Sequence, residues 1–537
     1  MYRKIITIFL MALLITTALP ALGYIKEDNK INRTFIDYNY LEQQINGEGY
    51  ALTDWFVYTR LLASDGEDHD FFGVSVAIDG DYALIGAYGY DNSRGSAYVF
   101  KRDGAIWTEG DKLTASDGQA DDYFGWSVSI DGDYALIGAQ NDDNYKGSAY
   151  VFKRDGSTWI QEDKLTASDG QADDLFGRSV SIDGEYALIG AYGDESYKGS
   201  AYVFKRDGAI WTEEYKLTAS DGQAGDLFGW SVCTNTDFAI IGTYGANLDK
   251  GSAYVFKRDG STWTQEDKLI ASDGESGDGF GFSVSIHGNY AFIGEPWDDG
   301  DLGSAFVFKR DGTTWTEEEK LTATDGETHD WFGWSVSIDN DYALIGAYGD
   351  NSERGSVYVF EKDDDIWNQK DKLNAEYNES GDSFGWSVSI DGNRALIGVP
   401  RDDNEKGSGY IFEKNQPPSK PKINGETDGN VGTKYDYKFI NCTDPNYDNI
   451  TFHVEWGDDG VYEGFVPSNG SFILNHSWSE KGRYTIKAKL VDEHGAEGEW
   501  SYFSVTMPFF YNNPFWWLNG LLDNFPLVQR LLEVLIR

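Results

Sequence analysis

The chain has 537 residues, and its 90 Asp and Glu outweigh 44 Lys and Arg to leave a formal charge of −46. A polyanion needs a basic face to bind to, so this balance excludes nucleic acid as the partner and favours cations, basic partners or plain solubility. At 40% hydrophobic and 15% aromatic residues the chain is too apolar for disorder. Its two cysteines, Cys233 and Cys442, make no disulfide framework and are expected to be unpaired. Abundant Gly, Tyr, Phe and Trp point to short strands and tight turns, an all-β protein.

Residues 1–23 carry Arg3 and Lys4, then an apolar run from Ile5 to Ile15, then Ala21-Leu22-Gly23, with small residues at the cleavage positions. This pattern is that of a secretory signal peptide. Residues 24–54 are polar and without period, an N-terminal linker.

From residue 55 a single period governs the chain. Phe-Gly pairs begin at Phe72, Phe124, Phe176, Phe228, Phe280, Phe332 and Phe384, and Gly-Ser pairs at Gly95, Gly147, Gly199, Gly251, Gly303, Gly355 and Gly407. Trp55, Trp107, Trp159, Trp211, Trp263, Trp315 and Trp367 give a third mark in the same register, 52 residues apart. One period reads as four strands: Phe124 to Ile130, Tyr134 to Ala139, Gly147 to Lys153 and Trp159 to Ala167, with Asp-Gly turns after the first and third. Four short strands per fixed period predict a propeller blade. The tryptophan series starts before the first Phe-Gly pair, so blade seven lacks its own fourth strand. Residues 55–63 are expected to supply it beside Gly407–Phe412, closing the ring and hiding both edges.

These motifs over 55–414 resemble FG-GAP repeats, the unit of the integrin α-subunit propeller and of many secreted microbial propellers. The resemblance implies a seven-bladed β-propeller used for extracellular recognition or adhesion, on a secreted or surface-displayed protein. It carries over no calcium loop. The family's D-x-D-x-D-G stretch between the first two strands is here a tight turn such as Asp79-Gly80-Asp81.

Strand order puts the loops leading into each blade and the second-to-third-strand loops on one face. Those loops hold a net charge of about −28, against about −7 for the turns of the opposite face. Such a dipole steers a cationic partner. One acid recurs two residues before every Phe-Gly phenylalanine: Asp70, Asp122, Asp174, Asp226, Asp278, Asp330 and Asp382. Each reads either as a cap of its own loop or as a Ca²⁺ ligand, the latter only if loops cooperate to supply six to eight oxygens. Function breaks symmetry, and the departures stand in blades five and seven. Trp297, Asp298, Asp299 and Arg401 are the candidate partner-binding residues, Trp297 as a stacking platform for a sugar or an aromatic side chain. His69 and His329 replace Asp or Gly in two lead-in loops.

Residues 415–422 (NQPPSKPK) form a Pro-rich linker. Residues 423–507 alternate without the period and contain Trp456-Gly457-Asp458-Asp459-Gly460, which resembles the aromatic-G-D-G signature of a PKD or related Ig-like β-sandwich; the resemblance implies a spacer or adhesive module. Asn441, Asn449, Asn469 and Asn475 begin N-x-S/T sequons. Residues 508–537 form an apolar, amphipathic tail with Val528, Leu531, Leu532 and Leu535 on one helical face, suited to a membrane surface or to packing on the protein.

No nucleophile motif, phosphate loop or histidine cluster appears, which favours a non-enzymatic binder of an extracellular protein or glycan. The alternatives are a secreted carbohydrate-active enzyme with carboxylates at the ring mouth and a structural surface-layer component.

Overall fold

The computed structural model describes residues 54–375 and 379–508. The signal peptide and nearly all of the N-terminal linker and C-terminal tail therefore lie outside the described residues. Seven four-stranded antiparallel sheets follow one another in 54–414, and two sheets pair face to face in 422–507. The protein is an all-β, seven-bladed propeller followed by a β-sandwich.

Blade two shows the unit: Phe124–Asp131, Tyr134–Ala139, Ser148–Asp155 and Thr158–Leu165, paired in that order. The second and third strands are buried on both faces, because neighbouring blades cover them; Leu136, Ile137, Tyr150 and Val151 are all fully inaccessible. That double burial explains why large apolar side chains occupy both parities of these strands.

The Phe-Gly and Gly-Ser marks are two halves of one joint between blades. Gly95 of blade one bridges in parallel to Phe124 of blade two, and the same contact repeats to Phe72 against Gly407 across the closure. Gly95 has φ +86°, and a Cβ there would run into the Phe124 carbonyl, so only glycine allows the approach. The tryptophan mark serves the next contact outward: Trp159 of blade two meets Tyr82 of blade one edge-on at 6.0 Å.

The ring closes through the strand Trp55–Leu61, which pairs with Ser408–Lys414 as the outermost strand of blade seven. Trp55 there repeats the ring contact made by Trp159, Trp211, Trp263, Trp315 and Trp367 with the preceding blade. It meets Tyr342 of blade six edge-on at 5.8 Å, and its N–H donates to Asp371 Oδ2 as that of Trp159 does to Asp111.

In the sandwich, Lys422–Asn424, Tyr435–Cys442 and Gly470–His476 form one sheet. Val461–Val466, Ile450–Glu455, Gly482–Asp492 and Ser501–Met507 form the other. Trp456 and Trp478 fill the space between them, with Trp478 Nε1 donating to the Trp456 carbonyl at 3.2 Å. The Pro-rich segment before it makes no regular strand until Lys422, yet it is tied down: Gln416 N donates to Asn446 Oδ1 at 2.8 Å. Asn446 Nδ2 in turn donates to Glu413 Oε2 at 3.1 Å, so the sandwich bonds directly to the last propeller strand. Glu413 is fully buried between Arg102 and Arg394, at 3.1 and 3.0 Å. Cys233 and Cys442 are both free.

Candidate functional site

The innermost strands surround an axial channel, and its mouth opens on the acidic face. One residue from each blade, the one after Phe-Gly, lines it: Val74, Trp126, Arg178, Trp230, Phe282, Trp334 and Trp386. The cavity there measures about 260 Å³. A second tier of rings stands at the ends of the second strands and packs onto the first. Tyr88 lies 4.8 Å from Trp126, Tyr244 4.8 Å from Trp230, and Tyr348 4.6 Å from Trp334. Phe282 links Trp230 to Trp334 at 5.7 and 4.5 Å, and Trp334 reaches Trp386 at 5.0 Å. The result is an aromatic collar around most of the ring, broken at Val74 and Arg178, whose members are half-buried apart from the buried Tyr348, with their rings offset or edge-to-face.

One cation interrupts the inner tier. The Arg178 guanidinium sits 4.0 Å from the Trp230 ring and 5.1 Å from the Trp126 ring. Among the described residues it has no carboxylate and no hydrogen-bond partner. Enclosure by these apolar walls pushes its pKa down to about 10. Tyr192 and Tyr244 stand close enough to bear on its charge. The hydroxyls of Tyr88, Tyr192, Tyr244 and Tyr348 and the indole N–H groups of Trp126, Trp230, Trp334 and Trp386 likewise have no protein partner among the described residues.

Two of the residues singled out from sequence belong to this collar. Trp297 packs on Tyr244 and Phe282 at 5.6 and 5.2 Å. It lies where Gly279 leaves room that the other blades fill with a side chain, except for Ser383; a Cβ on Gly279 would run into the indole. Arg401 lies 5.3 Å over the Trp386 ring and pairs with Glu353 at 3.2 Å. Asp298 is different. It is buried, bonds Ser304 and Lys320, and has counterparts in Asp142, Asp194, Asp350 and Asp402, so it belongs to the repeat. Asp299 is exposed and 3.8 Å from the same lysine. His69 pairs with Glu405 and His329 with Asp301, both on the rim. A broader hollow of about 780 Å³ lies between the loops of blades six and seven, lined by His329, Trp331, Glu353 and Arg354 among others.

The acidity of this face is partly internal. In blade two, Lys164 from the outer strand reaches back to Asp117 and Asp142 at 2.5 and 2.7 Å, while Tyr150 donates its hydroxyl to Asp117 at 2.9 Å. Lys216, Lys320 and Lys372 likewise join two acids, Lys112 and Lys268 hold Asp65 and Asp221 alone, and Arg60 of the closing strand holds Asp402. Partial burial alone would raise Asp117, Asp169, Asp221 and Asp325, yet the lysine and tyrosine bonds hold them below the usual carboxylate range. A loop-by-loop charge count misses these seven cations, because they are strand residues. With them the face carries about −21 rather than about −28.

The Asp70 series serves its own loops. Each carboxylate accepts the backbone N–H of the residue three before it: Glu67 to Asp70, Gln119 to Asp122, Gln171 to Asp174, Gln223 to Asp226, Glu275 to Asp278, Glu327 to Asp330 and Glu379 to Asp382, at 2.5–2.8 Å. Burial raises the pKa of Asp70, Asp122, Asp174, Asp278, Asp330 and Asp382, and the N–H bond offsets it in part. The seven stand one per blade, and no two of them are brought together.

Blade five departs from this lysine–tyrosine clamp. Phe306 replaces the tyrosine, and Glu295 replaces a small residue on the paired strand. Glu295 is fully buried and neither carboxylate oxygen has a partner. Burial, with Asp298 and Asp278 nearby, pushes it up to about 9.

Carboxylates do converge in the sandwich. Asp444, Asp448 and Asp492 are all buried, with one oxygen of each within 4.8 Å of the others. Oδ2 of Asp444, Oδ2 of Asp448 and Oδ1 of Asn415 have no hydrogen-bond partner, and His494 Nε2 stands 3.8 Å from Asp448 Oδ2. Asn415 Nδ2 donates to Asp492 at 3.1 Å. Burial, reinforced by Asp444 and its neighbours, pushes Asp448 up to about 7. An all-oxygen set with orphaned buried atoms suits a hard divalent cation such as Ca²⁺. Sequence reading missed this set because its members come from 415, 444–448 and 492; the Asp-x-x-x-Asp spacing of 444 and 448 was the available signal. The sequon residues Asn441, Asn449, Asn469 and Asn475 are all exposed.

A family model described as FG-GAP repeat matches residues 55–100, 107–152, 159–204, 211–256, 263–308, 315–360 and 367–412. No curated protein matches the chain. Among solved structures, the PKD domain of an M14-like peptidase from a Thermoplasmatales archaeon is 44% identical over 18% of this chain and 99% of that one, with a TM-score of 0.17. A protein of unknown function from Bacteroides thetaiotaomicron is 12% identical over 67% and 76%, with a TM-score of 0.34. Dipeptidyl peptidase 4 of Porphyromonas gingivalis is 11% identical over 68% and 57%, with a TM-score of 0.32. No helix among the described residues is long and apolar enough to cross a membrane.

Proposed function

This chain belongs to the FG-GAP repeat family, and from that premise we propose that it is a secreted or surface-displayed recognition protein, non-enzymatic, that engages an extracellular glycan at the axial mouth of its acidic face. The observation that carries the reading is the collar. Half-exposed aromatic rings with unpartnered indole N–H groups converge on one cavity, ringed by tyrosines with free hydroxyls, at a position where the seven blades carry unlike residues. Concave sites lined by aromatics with a few convergent polar groups are what ligand sites look like, and such rings offer large contact area at small entropic cost.

The lining of the mouth contains no Asp or Glu. Hydrolysis of a glycosidic bond uses two carboxylates flanking it, so the mouth is suited to holding a ligand rather than cutting it. The acidic rim adds steering for partners with cationic groups.

The reading is tested by probing a glycan and protein array with the full chain beside Trp230→Ala and Trp334→Ala. We expect glycan capture that both substitutions abolish while the melting temperature stays near that of the parent. Capture that survives both substitutions would remove the mouth from the account.

A further inference from the structure

We propose that the axial mouth recognises a hexuronate, a sugar ring carrying a single carboxylate, with that carboxylate paired to Arg178. This rests on the reading that the mouth is the recognition site, and it names the ligand class.

The first argument is positional. Seven residues occupy one structural position after Phe-Gly, and six are apolar or aromatic: Val74, Trp126, Trp230, Phe282, Trp334 and Trp386. Arg178 is the exception. In a chain with 90 acids, an arginine that meets none of them is not placed for stability. A guanidinium taken partly out of water without a counter-charge is costly, and two tryptophan faces offset only part of that cost. The missing partner is an anion, and the planar fork of the guanidinium matches a carboxylate by two parallel hydrogen bonds.

The remaining chemistry narrows the anion. The rim around Arg178 offers hydroxyl and indole donors on several sides, from Tyr192, Tyr244, Trp126 and Trp230, none of them used within the protein. That distribution suits a ligand with hydroxyls on every edge. A peptide end, with one polar terminus on an apolar chain, would leave most of them unmatched. A cavity of about 260 Å³ holds one sugar ring. The net negative rim disfavours a densely charged polyanion, so one carboxylate at the end or in a sparsely charged stretch of a glycan fits best. Free ammonium ligands are disfavoured by Arg178 itself.

The test uses the full chain and three sugars of one shape: methyl β-D-glucuronide, its methyl ester, and methyl β-D-glucoside, with an acetylated tripeptide bearing a free C-terminal carboxylate as the fourth probe. Binding is read by saturation-transfer NMR and calorimetry. The glucuronide is expected to bind about tenfold or more tighter than the ester, the effect of one charge-assisted pair. Arg178→Trp, which installs the residue that four other blades carry here, should melt as the parent does and lose the preference; Arg178→Gln should lose it too. Equal binding of acid and ester, or a preference that survives Arg178→Gln, overturns the carboxylate assignment while leaving the mouth as the site. Binding of the tripeptide with no sugar bound overturns the sugar assignment. Binding of none of the probes overturns the inference as a whole, while the array experiment decides separately whether the mouth binds at all.

Discussion

Replacing Glu295 by glutamine should make the protein more stable, and by an amount that grows with pH. Glu295 is buried in blade five with both oxygens unpartnered, and burial beside Asp298 and Asp278 lifts its pKa from 4.5 to about 9. A group whose folded pKa is raised binds more protons when folded than when unfolded. Its contribution is therefore most favourable below pH 4.5 and is lost as pH rises toward 9. Each unit of pKa separation is worth about 1.4 kcal/mol, so at pH 7.5 the native state bears a cost of about 4 kcal/mol as an upper bound. Glutamine has the same shape and no titration. Thermal melts of the parent and Glu295→Gln from pH 4.5 to 9.5 should coincide at the acid end and separate steadily above it, with the variant higher. A difference that stays flat with pH, or a variant that melts lower at pH 8, would refute the reasoning and mean that Glu295 is charged and paired.

Two further outcomes follow from the packing and the carboxylate set. Trp55→Ala removes a side chain only 3% exposed from the closing strand, which should cost about 3–5 kcal/mol and speed proteolytic release of residues 55–61; an unchanged melting curve would mean that the closure contributes nothing. Millimolar Ca²⁺ should raise the melting temperature relative to EDTA, by about 2.7 kcal/mol of stability at a hundredfold excess over Kd. Asp448→Asn should abolish that response, and a response that vanishes in Asp122→Asn instead would move the site to the propeller loops.

The ring was readable from the chain because its joints are backbone joints. Phe-Gly and Gly-Ser meet across every blade boundary, so their residues recur at a fixed period and announce both blade number and closure. The mouth was hidden for the opposite reason. The residue after Phe-Gly varies from Val74 to Arg178 to Trp386, and that variation acquires meaning only when seven copies point at one axis. Trp297 stood out in the sequence, but its neighbours Tyr244 and Phe282 did not, since they resemble ordinary strand aromatics. Charge was legible in total and not in arrangement: Lys164 is a strand residue by sequence and a clamp on Asp117 and Asp142 in space. The Asp444, Asp448 and Asp492 set lay beyond reach because it needs a contact spanning nearly fifty residues and one asparagine from the linker.

The central claim is that recognition occurs at the collar. Its most direct measurement compares the affinity of the full chain for an array-identified glycan with those of Trp230→Ala, at the mouth, and of Lys205→Glu, on the opposite face. The account predicts loss of binding in the first and unchanged binding in the second. Retention in the first, or loss only in the second, would contradict it.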